Sequence, residues 1–286
     1  MTATLSARPA AARRGYERPP SMWLGFPLLV MVACLLLWPL GVIAVRSLSF
    51  GTGHLSLRRY ADVLTDGDYL RSFLITSLLA VLSTVIAIAL CVPAALYLER
   101  TRDRLSRLMA AAMTIPLSLP GIVIGFFVIL LFGTTGVVPV TARQVFGNSF
   151  GQLAYTFTGL LIGYLYFNIP RVILVVRGAV AEVSPEAIDA ARTLGANPMH
   201  VYRRVIIPAL LPSIASAAAL SLATAFGAFG TAATLSRGYR VVPLDISAAF
   251  TEQFKPELAA TLSVLLAIVT TAILVGVGRL GERRTR

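Results

Sequence analysis

The chain has 286 residues, 57% of them hydrophobic and 13% charged, with a mean hydropathy of +0.79. Charged residues make up about a quarter of an ordinary soluble domain, so the composition excludes one and indicates an all-α, polytopic membrane protein. The net charge of +12 does not indicate nucleic acid, because the basic residues are spread over loops and termini instead of gathered on one folded face.

In chain order, residues 1–22, MTATLSARPAAARRGYERPPSM, are rich in Ala, Arg and Pro and are expected to form a disordered tail. The apolar run 23–45 is longer than the roughly 7–15 residues of a signal-peptide core and reads as a retained first span. A crossing takes about 20 mainly apolar residues, and five further runs qualify: 73–98, 108–132, 153–176, 209–235 and 258–277. The expected division is a tail at 1–22, a first helix with an outer loop at 23–71, a core at 72–278 with a polar loop near 177–208, and a tail at 279–286. Segments 1–22, 99–107, 171–207 and 278–286 hold 17 of the 25 Lys and Arg residues, and the alternate loops hold 8. That bias places both termini and the polar loop in the cytoplasm.

Catalytic chemistry is nearly absent from the sequence. Cys34 and Cys91 fall inside predicted spans without other ligand types nearby, so both read as small buried hydrophobes. His54 and His200 lack a second ligand at helical spacing. The single lysine, Lys255, follows no glycine-rich loop, which rules out a G-x-x-x-x-G-K-[ST] phosphate cradle. Neither G-x-S-x-G nor H-E-x-x-H occurs. No catalytic residue, metal site or bound cofactor is therefore expected, and any ATP would be held by a partner. A membrane enzyme acting on lipid-linked substrates would need clustered acids or a nucleophile set. Glu99, Asp103, Glu182, Glu186 and Asp189 are separated or placed at helix starts, and a scaffold without transport would have no use for the loop described next.

The stretch SPEAIDAARTLGANPMHVYRRVIIPALLP, 184–212, is the most polar long segment inside the apolar chain. Ser184, Pro185 and Glu186 form a helix start: an acceptor for a free N–H, a proline in the first turn, and an acid at the positive helix end. Gly195 suits a C-terminal cap, and Asn197-Pro198 repeats the start two residues later. Two short helices joined by a glycine turn result, with Pro208 marking the passage to the fifth span. Ala187, Ala190, Ala191 and Leu194 share one face of the first helix; Met199, Tyr202 and Val205 or Ile206 give the second a bulkier face.

These residues resemble a known family. Asp189-Ala190-Ala191, three residues, Gly195, nine residues, then Val205-Ile206-Ile207-Pro208 is similar to the EAA loop of binding-protein-dependent ABC importer permeases. Asp189, Val205 and Ile207 stand where the family pattern has Glu, Ile and Leu. The resemblance extends from about residue 72 to the end of the sixth span. It implies a type I importer permease fold in the bacterial plasma (inner) membrane. It also implies that Glu186, Asp189, Ala190, Ala191, Gly195, Val205, Ile207 and Pro208 couple to an ATPase. The implied partners are a second permease subunit, homologous or identical, two cytoplasmic ATP-binding subunits that carry the ATP and Mg, and an external solute-binding protein.

For the solute pathway the sequence offers Pro116, Pro120, the small-residue pairs Gly121/Gly125 and Gly159/Gly163, and the FGAFG run holding Phe226, Gly227, Phe229 and Gly230. Small residues four apart let helices pack closely. Broken backbone at membrane depth belongs beside a cavity. In the family it resembles, relatives for oxyanions or iron often carry G-E-F-G where this chain has Ala228. Arg171, after Pro170, is expected to anchor at the interface because long basic side chains reach for the surface; facing a cavity, it would instead set selectivity. YRVVPLDISAAF and PELAATLSVLL look closest to the polyamine branch, which implies spermidine or putrescine, with phosphonate, iron and oxyanion branches next. The carboxylate-poor interior argues against tight polycation binding.

Overall fold

The computed structural model describes residues 21–50, 54–101, 104–148 and 150–283. Among them six helical stretches are long and apolar enough to cross a bilayer: Gly25–Leu48, Gly67–Glu99, Gly121–Phe146, Phe157–Glu182, Pro198–Phe226 and Pro256–Arg279. Most of the tail expected at 1–22 lies outside the described residues, as does Asp103. The chain divides into two compact units, one ending at Val42 and the other starting at Ile43.

The first unit holds α1 (Ser21–Leu48) as far as Val42, and the helix continues through Pro27 and Pro39. It is apolar on every face, and Leu35, Leu37 and Trp38 are exposed, which suits a helix solvated by lipid. Cys34 is exposed on it, against the expectation of burial; a small apolar residue needs no protein around it where the surroundings are hydrocarbon.

The second unit opens with the last turns of α1, then a minimal antiparallel pair, β1 (Ser49–Phe50) with β2 (His54–Leu55), a small exception to the all-α expectation. α2 (Arg58–Thr65) leads into the long α3 (Gly67–Arg100), whose first turn is capped by the Asp66 carboxylate accepting from the Asp68 amide. The next stretch departs from the single span expected at 108–132. It consists of α4 (Arg104–Ala112), α5 (Ile115–Ser118), α6 (Gly121–Phe132) and α7 (Val137–Phe146). Pro116 and Pro120 supply no N–H and disfavour helix in the residues before them; Leu119 and Pro120 are extended, and α6 starts afresh at Gly121.

α8 (Phe157–Glu182) is capped by Thr156 and runs on through Pro170. The polar loop follows as α9 (Pro185–Thr193) and α10 (Pro198–Val201), with a π-helical turn at Tyr202–Ile206 leading into α11 (Ile207–Phe226). The fifth span therefore begins at Pro198 and ends at Phe226, not at 209 and 235. Pro208 has no N–H for the Arg204 carbonyl, and in an ordinary α-turn its ring would collide with that carbonyl. The wider turn, closed by the Ile207 amide on Tyr202 O, lets the helix pass the proline unbroken. After a break at Gly227 and Ala228 come α12 (Phe229–Leu235), α13 (Val242–Thr251) and α14 (Pro256–Arg283), so the tail expected at 279–286 is helical as far as Arg283.

Three buried clusters hold this unit together. One, around Leu79, Ile124, Leu160, Tyr164, Phe226 and Leu235, joins α3, α6, α8, α11 and α12. A second, around Cys91, Leu96, Val176, Val201, Ile206 and Leu210, joins α3 and α8 to the start of α11. The third joins α2, α13 and α14 through Val63, Ala249 and Leu262. Between α3 and α8, the Asn168 amide donates to Ser83 Oγ at 3.1 Å, and the Cys91 thiol to the Ile169 carbonyl at 3.4 Å.

Candidate functional site

The polar loop forms as its residues dictate. Ser184 Oγ accepts from the Ala187 amide at 3.2 Å and donates to the Glu186 carboxylate at 2.5 Å. That hydroxyl holds the exposed Glu186 carboxyl below the usual glutamate range. At the other end of α9, Gly195 turns the chain with φ +80° while its amide and that of Ala196 donate to Arg192 O and Ala191 O; a left-handed backbone there costs glycine little. Asn197 Oδ1 then accepts from the His200 amide at 2.8 Å and starts α10.

The helix faces divide differently from the expected pattern. Ile188 and Ala191 pack on the second cluster together with Val205 and Ile207. Ala187, Ala190, Asp189, Gly195 and Pro208 are exposed, and Leu194 and Met199 are 88% and 59% exposed. Helical spacing groups Ala191 with its exposed neighbours, but the bundle takes the side of α9 that carries Ile188. An apolar rim, Leu194 and Met199, is left on either side of the glycine turn. Asp189 makes only a 3.6 Å surface pair with Arg192, of the kind worth little. Beneath α9, Arg177 on α8 meets Glu99 at the end of α3 at 3.1 Å, both side chains about three-quarters covered, so the ends of two spans are tied where the loop sits on them. A cavity of about 370 Å³ there is lined by Glu99, Val183, Ile188, Asp189 and Arg192.

Where α11 ends, a second feature opens. Helices α6 and α12 pack so closely that Gly121 and Gly125 face Thr231 and Thr234, and Gly163 of α8 faces Thr231 and Leu235. Thr231 Oγ1 donates to Gly121 O at 3.1 Å. Gly121, Gly125 and Gly163 thus serve helix packing, whereas Gly159 makes room for the Leu153 and Ala154 carbonyls ahead of its own helix. Next to this contact lies a cavity of about 270 Å³ bounded by Pro116, Leu119, Phe167, Gly227, Phe229 and Gly230, with Arg171 in its wall. Phe226 is absent from the wall; 2% exposed, it is part of the core. The expectation that Arg171 anchors at an interface is corrected here. Its guanidinium lies 6.0 Å from the Phe167 ring centre and Nη1 is buried, because α8 continues well beyond Pro170 and leaves Arg171 in mid-helix. Thr231 closes the FGAFGT run, but Phe167 and Thr234 are not marked by the sequence; the GxxxG spacing marks the glycine that Thr234 faces and not Thr234 itself.

Residues 87–286 match the family described as the binding-protein-dependent transport system inner membrane component. The chain belongs to this family. It is a multi-pass inner-membrane permease subunit of an ABC importer, and its fold is that of the type I importer permeases. The molybdenum transport system permease protein ModB of Mycobacterium tuberculosis is 30% identical over 224 residues, covering 77% of this chain and 83% of ModB. The sulfate transport system permease protein CysT of Salmonella typhimurium is 28% identical over 247 residues, 84% of each chain. Among solved structures, a bacterial alginate ABC transporter in complex with an alginate pentasaccharide-bound periplasmic protein contains a chain of similar fold. The TM-score is 0.80 at 14% identity, covering 93% of this permease and 95% of that chain.

Proposed function

We propose that this permease forms half of a solute pathway completed by a second permease subunit, and that residues 184–208 seat in a cytoplasmic ATP-binding subunit. ATP and Mg are held by those subunits, no catalytic residue is assigned to this chain, and an external binding protein delivers the solute. One observation carries the reading. The stiffly capped loop exposes Leu194, Met199 and its glycine turn, and its second helix, α10, runs without a break into α11, which ends at the membrane cavity. An apolar rim on a short rigid turn is suited to a fitted cleft, and Glu186, Asp189, Ala190 and Gly195 are on the surface to meet one.

For the solute, we favour a small oxyanion over spermidine or putrescine. ModB and CysT are named for molybdenum and sulfate transport, and the cavity wall among the described residues carries an arginine and no acid. A phosphonate has the same anionic chemistry and ranks next; iron lacks a carboxylate to meet it here.

The test replaces residues 184–208 with a flexible Gly/Ser linker of equal length in the complete transporter. Membrane insertion is expected to persist, while copurification of the ATP-binding subunit and ATP-driven uptake are lost. Retained copurification with retained uptake would remove the loop from the mechanism.

A further inference from the structure

We propose that Arg171 is an anion-binding residue, the point in the membrane at which this permease recognises the oxyanion it passes. The proposal rests on the import reading above and adds a named residue and its chemistry.

Depth comes first. Arg171 lies eleven residues before the end of α8 at Glu182, about 16 Å along the helix at 1.5 Å per residue. Its guanidinium opens onto the 270 Å³ cavity, where two interruptions of the backbone converge: the extended Leu119–Pro120 link ahead of α6 and the Gly227–Ala228 gap. Irregular backbone at such depth is tolerated where it faces protein or water, not lipid.

The second observation is the missing counter-charge. Two other partly covered guanidiniums in this chain come with acids: Arg177 meets Glu99 at 3.1 Å, and Arg240 meets Asp68 at 2.8 Å and Asp245 at 3.0 Å. Arg171 has no ion-pair partner among the described residues, its buried Nη1 has no hydrogen-bond acceptor, and no Asp or Glu lines the cavity. Its one aromatic contact, Phe167, attracts the cation without neutralising it. A cation placed in an apolar bundle without an anion is costly, and a diffusible anion supplies what the protein omits.

The third is fit. A planar guanidinium offers paired donors that match two oxygens of a tetrahedral oxyanion, which an ammonium cannot do. The cavity volume equals that of about nine waters at roughly 30 Å³ each, enough for such an ion with part of its hydration shell. The Thr224 and Thr231 hydroxyls on the same wall already donate to Leu220 O and Gly121 O, so the guanidinium is the charged donor this wall offers to the ion.

The experiment uses the complete transporter in lipid nanodiscs. Butane-2,3-dione labels arginine, and mass spectrometry quantifies labelling of the peptide carrying Arg171. Sulfate and molybdate are expected to protect it, whereas chloride at equal ionic strength and spermidine are not. In proteoliposomes, Arg171→Met is expected to weaken sulfate or molybdate uptake by about tenfold or more, as loss of a hydrogen bond to a charged group implies. The defect should lie in KM, with Arg171→Lys recovering part and both variants copurifying with the ATP-binding subunit. Equal protection by chloride, or wild-type uptake by Arg171→Met, overturns the site. The protection measurement does not depend on import: protection without ATP-driven uptake upholds the anion site and overturns the importer reading, whereas uptake without protection overturns the anion site alone.

Discussion

Of the two glycines of the FGAFG break, one is expected to resist the substitution that the other tolerates. A Cβ added to Gly230 would lie 2.9 Å from the Ile122 backbone nitrogen, 3.2 Å from Ile122 Cγ1 and 3.3 Å from the Gly121 carbonyl carbon. Two of those atoms are backbone at the head of α6, so no side-chain rotation relieves the overlap. α12 must withdraw by roughly half an ångström, straining the Thr231–Gly121 hydrogen bond of 3.1 Å. Overpacking of this kind costs about 1–3 kcal/mol. A Cβ on Gly227 would meet nothing nearer than the Ala223 and Thr224 carbonyl oxygens at 3.8 Å, at an ordinary φ of −91°, so Gly227→Ala should fall within about 0.5 kcal/mol of the parent. The assay is the thermal midpoint of the detergent-solubilised complex, which should drop by several degrees for Gly230→Ala and hold for Gly227→Ala. Equal midpoints for the two variants would refute the close approach of α12 to α6.

Two further outcomes are expected at the loop. Gly195→Leu places a side chain at φ +80°, a strain of about 1–2 kcal/mol, with nothing of this chain within 4 Å of the new Cβ; the variant should enter the membrane yet lose ATPase association and uptake, and normal uptake would count against the docking of this turn. Ser184→Ala removes both the cap on Ala187 and the hydroxyl that does most to lower the Glu186 carboxyl, so amide exchange in the first turn of α9 should quicken about fivefold and the Glu186 titration should move up towards the ordinary range by carbon-13 NMR. Because the folded carboxyl is lowered, its support of α9 in the parent is complete above the ordinary glutamate range and fades only as pH falls through the lowered value; fading that begins above that range would contradict the sign.

The features legible in the sequence were those made within three or four residues. Ser184, Gly195 and Asn197 declare their caps because each bonds backbone in its own turn, and the glycine break at FGAFG is likewise local. Hydropathy alone misjudged residues 108–120, since a broken stretch and a helical one can have the same apolar content while prolines remove the donors. Orientation was the least legible property. Phe226 and Phe229 stand three apart in one motif, yet one is 2% and the other 42% exposed, because the break between them changes the helix direction. The setting of Arg171 depends on α5 and α12 packing near α8, contacts separated by dozens of residues, which no local pattern of its neighbours YFNIPRVILVV encodes. Which side of α9 the bundle would take was likewise decided by Ile188, which packs on the second cluster.

The uninterrupted Pro198–Phe226 stretch spans 29 residues, about 43 Å of stiff rod at 1.5 Å per residue. By that length, tipping its base through about five degrees swings its tip sideways by about 4 Å. The tip is where Gly227 and Ala228 give way, so the swing cannot be absorbed before it reaches them. It arrives as a change in the width of the space beside Arg171, comparable to the diameter of a bare ion.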